Sequence, residues 1–123
     1  MKIHESAEDY LEKILMLREQ KGSVRSIDIA VAMGFSKPSV SIAMKNLREN
    51  GYISVDADGF ITLEEPGLEI ARRIYDRHRK LTAFFVALGV DPDIAAHDAC
   101  KIEHDLSEET YSKMIAFAEQ YKK

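Results

Sequence analysis

Six side chains stand out for the chemistry their types and spacing allow. Asp9 and Glu12 lie three residues apart in a stretch with helical spacing, so both carboxylates project from one face. Cys100, Glu103 and His104 follow an i, i+3, i+4 pattern that gathers thiol, carboxylate and imidazole on one face of a later helix. His78 falls in a long helical stretch between these two groups. Hard oxygen, intermediate nitrogen and soft sulfur donors collected in this way suit a divalent first-row transition metal. A hydrolytic enzyme fits less well, because no activated serine, glycine-rich phosphate loop or isolated acid–base pair accompanies them. Each residue also has a plainer reading. Asp9 and Glu12 suit a solvated helix face, and His78 sits among Arg72, Arg73, Arg77, Arg79 and Lys80, as a surface or phosphate-contacting side chain would. Cys100 taken alone suits a small buried hydrophobe. Linear spacing does not establish that the three segments converge.

The elements that would position these groups can be read from periodicity and punctuation. Glu8 to Gln20 carries Leu11, Ile14 and Leu15 at three-to-four spacing and reads as an amphipathic helix closed by Lys21-Gly22-Ser23. Ser26 caps a short helix through Met33 that Gly34 stops. Ser36 is the expected N-cap of the next, with Pro38 close behind and Val40, Met44 and Leu47 facing inward, until Asn50-Gly51. Tyr52–Val55 and Phe60–Leu63 flank the turn dipeptide Asp58-Gly59 and predict a hairpin. Three helices followed by a hairpin is the order of a winged helix-turn-helix. Pro66-Gly67 opens a helix to about Leu88, Asp91-Pro92 one to about Asp105, and Ser107-Glu108-Glu109 a last one carrying Tyr111, Met114, Ile115 and Ala118. The expected fold is mainly α with a small β-hairpin wing. Residues 1–64 would form the DNA-binding domain and residues 65–123 a helical metal-binding and dimerisation domain.

The 123 residues fit one compact domain or two small ones, and the net charge of −4 at first argues against nucleic acid. Its distribution argues otherwise. No acidic residue occurs between Asp28 and Glu49, a stretch that holds Lys37, Lys45 and Arg48, so a locally positive face can meet phosphates. In the second helix of the motif Ser36, Pro38, Ser39 and Ile42 point where bases would be met, while Lys37, Lys45 and Arg48 suit phosphates. With no arginine or asparagine at the helix start for bidentate base reading, thymine-methyl contacts and indirect readout should carry much of the specificity. Asp56 and Asp58 predict a wing that contacts DNA weakly. There is no apolar run of membrane-spanning length and no signal-peptide pattern, and the lone Cys100 cannot form an internal disulfide. These features predict a cytoplasmic protein with no membrane partner.

Over nearly its whole length the chain resembles the diphtheria-toxin-repressor and manganese-transport-regulator family of metal-dependent repressors. The resemblance is carried by Glu8-Asp9-Tyr10-Leu11-Glu12, Ser36-Lys37-Pro38-Ser39-Val40-Ser41, the His78-Arg79 pair and Cys100-Lys101-Ile102-Glu103-His104-Asp105-Leu106-Ser107. It implies that Asp9, Glu12, His78, Cys100, Glu103 and His104 occupy the metal-ligand positions. Two branches of the family are mixed. Asp9 and Glu12 match the manganese type, whose counterpart of Cys100 is a glutamate, and Cys100 matches the iron type, which has methionine at the position of Asp9. Thr82 replaces a glutamate of the iron type's ancillary site, His97 lies one residue out of register with that site's histidine, and the SH3-like domain of the longer members is absent.

The implied function is that of a repressor, not an enzyme, which binds double-stranded operator DNA as a homodimer with Fe(II) or Mn(II) as corepressor. It would take no small-molecule substrate, and Zn(II), Co(II) or Ni(II) could substitute in vitro. The apolar faces formed by Leu81, Phe84 and Phe85 and by Tyr111, Met114, Ile115 and Ala118 would make the dimer contact. The alternative from another class is a metal-independent winged-helix module for protein–protein assembly.

Overall fold

The computed structural model describes residues 5–120. Their chain order is α1 (Glu5–Lys21), α2 (Ser26–Met33), α3 (Lys37–Glu49), β1 (Ile53–Val55), β2 (Ile61–Leu63), α4 (Glu65–Ala87), α5 (Pro92–Ile102) and α6 (Glu108–Gln120). Two compact units result, one ending at Arg73 and the other beginning at Ile74, so that α4 runs from the first into the second. Among the described residues no helix is long and apolar enough to cross a membrane.

In the first unit the apolar stripes meet as their spacing requires. Leu11, Ile14 and Leu15 of α1, Ile29 and Ala30 of α2 and Val40, Met44 and Leu47 of α3 are all buried, with Val24, Ile53, Ile61 and Leu63. Gly34 ends α2 in the left-handed region at φ 70°, a conformation that costs a Cβ-bearing residue more than glycine. Ser36 caps α3 as expected, its Oγ accepting from the Ser39 N–H at 3.3 Å, and Pro38 lies in the first turn. β1 and β2 pair antiparallel with Ile53 opposite Leu63 and Val55 opposite Ile61.

Two details of the unit depart from the sequence expectation. The N-cap of α2 is Arg25, not Ser26, which is already helical. Arg25 is extended because its backbone bridges Phe60, and the Asp28 carboxylate accepts its N–H at 2.9 Å. Lys21 donates to the same carboxylate at 2.6 Å. That ammonium first, and then the Arg25 N–H, hold the Asp28 carboxyl below its ordinary range. Phe60 lies just before β2, its carbonyl accepting the Asp56 N–H at 3.0 Å, and the wing turn closes through Asp56. The Asp56 carbonyl accepts from the Gly59 N–H at 3.0 Å, and its carboxylate accepts from the N–H groups of Asp58 and Phe60 at 2.9 Å each.

The second unit is helical. Leu81 of α4, Ala99 of α5 and Tyr111 of α6 form its buried centre, with Phe85, Ile102, Leu106, Met114 and Ile115 packed around them. Asp91 caps α5 by accepting from Asp93 and Ile94, and Pro92 occupies its first turn. The helix stops at Ile102, short of the Asp105 expected from sequence. Tight turns follow, in which the Asp105 and Leu106 N–H groups both reach the Ile102 carbonyl. Beyond the helix end the Arg77 side chain takes the Glu103 and Leu106 carbonyls, as described below.

Gly67 in the first turn of α4 is where the helix passes closest to the winged motif. A Cβ there would collide with the Tyr52 carbonyl, and its next neighbour would be a Leu11 methyl at 3.3 Å. The same carbonyl accepts the Glu64 N–H at 3.0 Å, so it cannot retreat without breaking a hydrogen bond. Gly67→Ala is therefore expected to destabilise the protein by about 1–3 kcal/mol, the usual range for overpacking. Urea denaturation of the two proteins under identical conditions checks it, and an unchanged midpoint would mean that the approach is looser than described.

Candidate functional site

In the second unit a carboxyl group lies between two imidazoles. Glu103 has no solvent exposure. Its Oε2 is 3.0 Å from His78 Nδ1, and its Oε1 is 3.6 Å from His104 Nε2. Oε1 is fully buried and receives no hydrogen bond. The His104 side chain is 2% exposed and that of His78 19%. Among the described residues, no lysine or arginine forms a salt bridge with this carboxylate. A buried carboxyl with an unfilled acceptor position carries a desolvation cost of several kcal/mol unless a positive group compensates it. A divalent cation in contact with one carboxylate and two imidazoles would do so, and those donors fit it.

The local sequence explains how the groups are held. His78 lies on α4, and Thr82, one turn later, donates its hydroxyl to the His78 carbonyl at 2.7 Å, so no carboxylate stands at that position. Glu103 and His104 lie just past the end of α5 rather than within it, so the single helical face expected for Cys100, Glu103 and His104 is only partly realised. Cys100 itself is on α5 and exposed, which removes its plainer reading as core filler. His97, one turn earlier, is exposed as well.

Sequence reasoning missed Arg77. It was grouped with the cationic surface residues of α4, yet only 6% of it is exposed. Its guanidinium donates to the Glu103 carbonyl at 3.1 Å, the Leu106 carbonyl at 2.9 Å and the Glu108 carboxylate at 2.8 Å, and lies 4.6 Å from the centre of the Tyr111 ring. The signal that could have found it is periodicity. Ile74, Arg77 and Leu81 follow the i, i+3, i+7 spacing of a buried stripe, and an arginine in such a stripe needs acceptors inside the fold.

In the first unit Asp9 and Glu12 lie on α1, Asp9 half-buried and Glu12 buried. Both carboxylates have interaction partners. A second surface lies on α3. All seven residues expected to meet DNA, Ser36, Lys37, Pro38, Ser39, Ile42, Lys45 and Arg48, are exposed. Val40, Met44 and Leu47 anchor the opposite side of that helix. Ile42 leaves 63% of its surface to solvent. Ser36 and Ser39 are partly engaged already, their hydroxyls hydrogen-bonded to each other at 2.9 Å.

The expected dimer face needs revision. Leu81 and Tyr111 are buried in the core of the second unit, and Phe85, Met114 and Ile115 pack on that core. The apolar groups left outside are Phe84, partly buried, with Val86, Leu88, Ile94 and Phe117, all exposed. Phe84, Ala87, Leu88, Phe117 and Ala118 line an apolar groove of about 450 Å³ between α4 and α6.

Comparison with known proteins gives matches in both halves. Residues 2–59 match the iron dependent repressor N-terminal DNA binding domain, and residues 64–123 the iron dependent repressor metal binding and dimerisation domain. An uncharacterised HTH-type transcriptional regulator of Methanocaldococcus jannaschii is 35% identical over 120 residues, 96% of each chain. The transcriptional regulator MntR of Salmonella typhimurium is 34% identical over 117 residues, 95% of this chain and 74% of that protein. Among solved structures, a manganese-dependent transcriptional repressor in complex with manganese is 29% identical with a TM-score of 0.81, covering 89% of this chain and 51% of that one. IdeR of T. acidophilum shares the fold at a TM-score of 0.82 and 24% identity, covering 97% of this chain and 55% of that one. The chain thus spans about half the length of these two solved structures.

The carboxyl of Glu103 yields a prediction that does not depend on DNA. Glu103→Gln keeps the shape and the partner for His78 but removes the acid from a dry site. The metal-free protein should become more stable, by about 1 kcal/mol and hence a few degrees in melting temperature. Calorimetry in the presence of a chelator measures this, and a lower melting temperature would show that the carboxylate is already well compensated without an ion.

Proposed function

The chain belongs to the iron-dependent repressor family of transcriptional regulators, and from that premise we propose that it represses transcription by binding operator DNA as a homodimer with Fe(II) or Mn(II) as corepressor. The observation that carries the proposal is the buried Glu103 carboxyl with an imidazole on either side. Asp9, Glu12, His78, Cys100, Glu103 and His104 would supply the ligands, with His97, three residues before Cys100, as a weaker extra candidate. Residues 1–64 would act as the DNA-binding domain and residues 65–123 as the metal-binding and dimerisation domain. The family is one of regulators rather than enzymes, and the DNA-binding match over residues 2–59 favours this reading over a module for protein assembly.

When bound, the ion supplies positive charge to a donor set that is otherwise rich in negative charge. The chain's own residues do the rest. Without the ion, the carboxylates of Asp9, Glu12 and Glu103 and any Cys100 thiolate repel one another. Neutralised, they can share one centre, and α1, which packs on the helix-turn-helix, is thereby fixed. Two half-sites about 34 Å apart, or a simple multiple, demand a fixed spacing of the two recognition helices. By linkage, DNA tightens metal binding by the factor by which metal tightens DNA binding. The groove between α4 and α6, with Phe84, Leu88 and Phe117, is the contact we assign to the second subunit. The protein would work in the cytoplasm.

On DNA, Lys37 and Arg48 are assigned to phosphates, which carry no sequence information. Lys37→Ala and Arg48→Ala should weaken binding equally on operator and random duplexes, each lost phosphate contact flattening the log–log salt dependence by about one, hence by about two for a homodimer. Anisotropy titrations across a salt series provide the measurement. Loss of discrimination at an unchanged slope would place these side chains on bases instead.

The metal ranking tests the ligand set. The carboxylates of Asp9 and Glu12 favour Mn(II), and the Cys100 sulfur tilts the balance to Fe(II), whereas Zn(II), Co(II) and Ni(II) should bind at least as tightly in vitro. Cys100→Glu should raise Mn(II)-dependent DNA binding relative to Fe(II) under anaerobic conditions. His104→Ala should abolish activation by either ion while the helical circular dichroism stays unchanged. An unaltered ranking in Cys100→Glu would remove the thiolate from the ligand set.

A further inference from the structure

Adjacent residues of α4 hold one and the same glutamate. His78 meets the Glu103 carboxylate at 3.0 Å, and Arg77 donates to the Glu103 backbone carbonyl at 3.1 Å. The same Arg77 nitrogen also donates to the Leu106 carbonyl at 2.9 Å, so one guanidinium closes both ends of the four-residue turn that carries Glu103 and His104. These carbonyls follow the last turn of α5, where no backbone N–H completes a helix. The ring of Tyr111 fixes the guanidinium from one side. The link to Glu108 contributes less, since that carboxylate is 75% exposed and solvent screens the pair.

Resting on the metal-site reading above, we propose that Arg77 is a positioning residue for the metal centre: it fixes the Glu103–Leu106 turn so that Glu103 and His104 are presented as ligands before any ion arrives. Arg77 touches no ion. It acts on the ligand residue's backbone while its neighbour His78 acts on the ligand's carboxylate. A turn left without this clamp would have to be ordered at the expense of binding free energy. Groups that orient metal ligands in this way typically change metal affinity about 10–100-fold when removed. Lysine is a poor substitute, because a single ammonium lacks the planar fork that spans two carbonyls and a carboxylate.

The experiment is an anaerobic Co(II) titration of the full chain, followed by visible absorption with a competing chelator, on Arg77→Met, Arg77→Lys, Glu108→Gln and Glu103→Gln. Amide hydrogen exchange of the metal-free proteins runs alongside it. Arg77→Met is expected to lose about 10–100-fold in Co(II) affinity, Arg77→Lys to recover part of it, and Glu108→Gln to stay within about twofold. Exchange should quicken at residues 103–107 of the metal-free Arg77 variants while α1 and α3 keep their protection. Wild-type affinity in folded Arg77→Met overturns the proposal. Should Arg77→Met fail to fold, wild-type affinity in folded Arg77→Lys overturns it equally. A purely structural arginine would lower melting temperature and leave Co(II) affinity in the folded variants alone, which also counts against it. Glu103→Gln separates the two levels. If it loses Co(II) while the Arg77 variants keep it, only the positioning role falls, whereas wild-type affinity in Glu103→Gln removes the metal site beneath it.

Discussion

The burial of Glu103 is the constraint around which the second unit is arranged. A carboxyl group at zero exposure must have both oxygens accounted for, or the unit loses several kcal/mol of the modest stability a domain this small possesses. One oxygen meets His78, and the other faces His104 at 3.6 Å, longer than a hydrogen bond, with no donor in contact. The chain could have avoided the difficulty with an apolar residue at position 103. It keeps instead an arrangement that is costly as it stands and that the cation of the proposed site would relieve. A binding protein gains from that asymmetry, because the free energy released on compensating a buried charge appears as affinity.

Why the cost is tolerable follows from the remaining contacts of the same segment. The apolar triad of Leu81, Ala99 and Tyr111 needs α4, α5 and α6 in place whether or not Glu103 is satisfied. Arg77 brings a buried positive charge, but directs it to backbone carbonyls and to Glu108 rather than to the Glu103 carboxylate. Had it paired with that carboxylate, the unit would be more comfortable when empty and a poorer receptor for a cation. Packing and polar contacts therefore do separate jobs: the first holds the helices, and the second keeps Glu103 oriented but electrostatically unsatisfied.

How much of this was legible in the sequence depends on whether the information is local. The stripe Val40-Met44-Leu47, the Ser36 cap and Pro38 are short-range signals, and α3 has the limits they imply. The three helices and hairpin follow for the same reason. Ser26 misled as a cap because the bridge from Arg25 to Phe60 spans 35 positions and leaves no local trace. The end of α5 differs because the Asp105 N–H turns to the Ile102 carbonyl, three residues back rather than four, a tightening that residue types do not mark. Leu81, Tyr111 and Met114 were read as surface for a partner because amphipathic spacing marks a face to be covered without saying by what. Donor types and spacing identified His78, Glu103 and His104 as candidate ligands, and only their geometry shows that one carboxyl lies between two rings.

The DNA-facing side obeys a different economy of charge. On α3 the exposed side chains include Lys37, Lys45 and Arg48 with no acid between Asp28 and Glu49, while the wing tip carries acids, of which Asp56 is already committed to the turn. Coulomb attraction beyond about 8–10 Å is screened at physiological salt, so distant acids weaken phosphate contacts little while keeping the free protein off bulk nucleic acid. In the proposed complex, affinity for DNA would rest on a few contacts from each of two recognition helices. Such a protein binds only when both helices are presented at the correct spacing. Under the proposed mechanism, weak individual contacts would make the geometry, and with it the metal site, decisive.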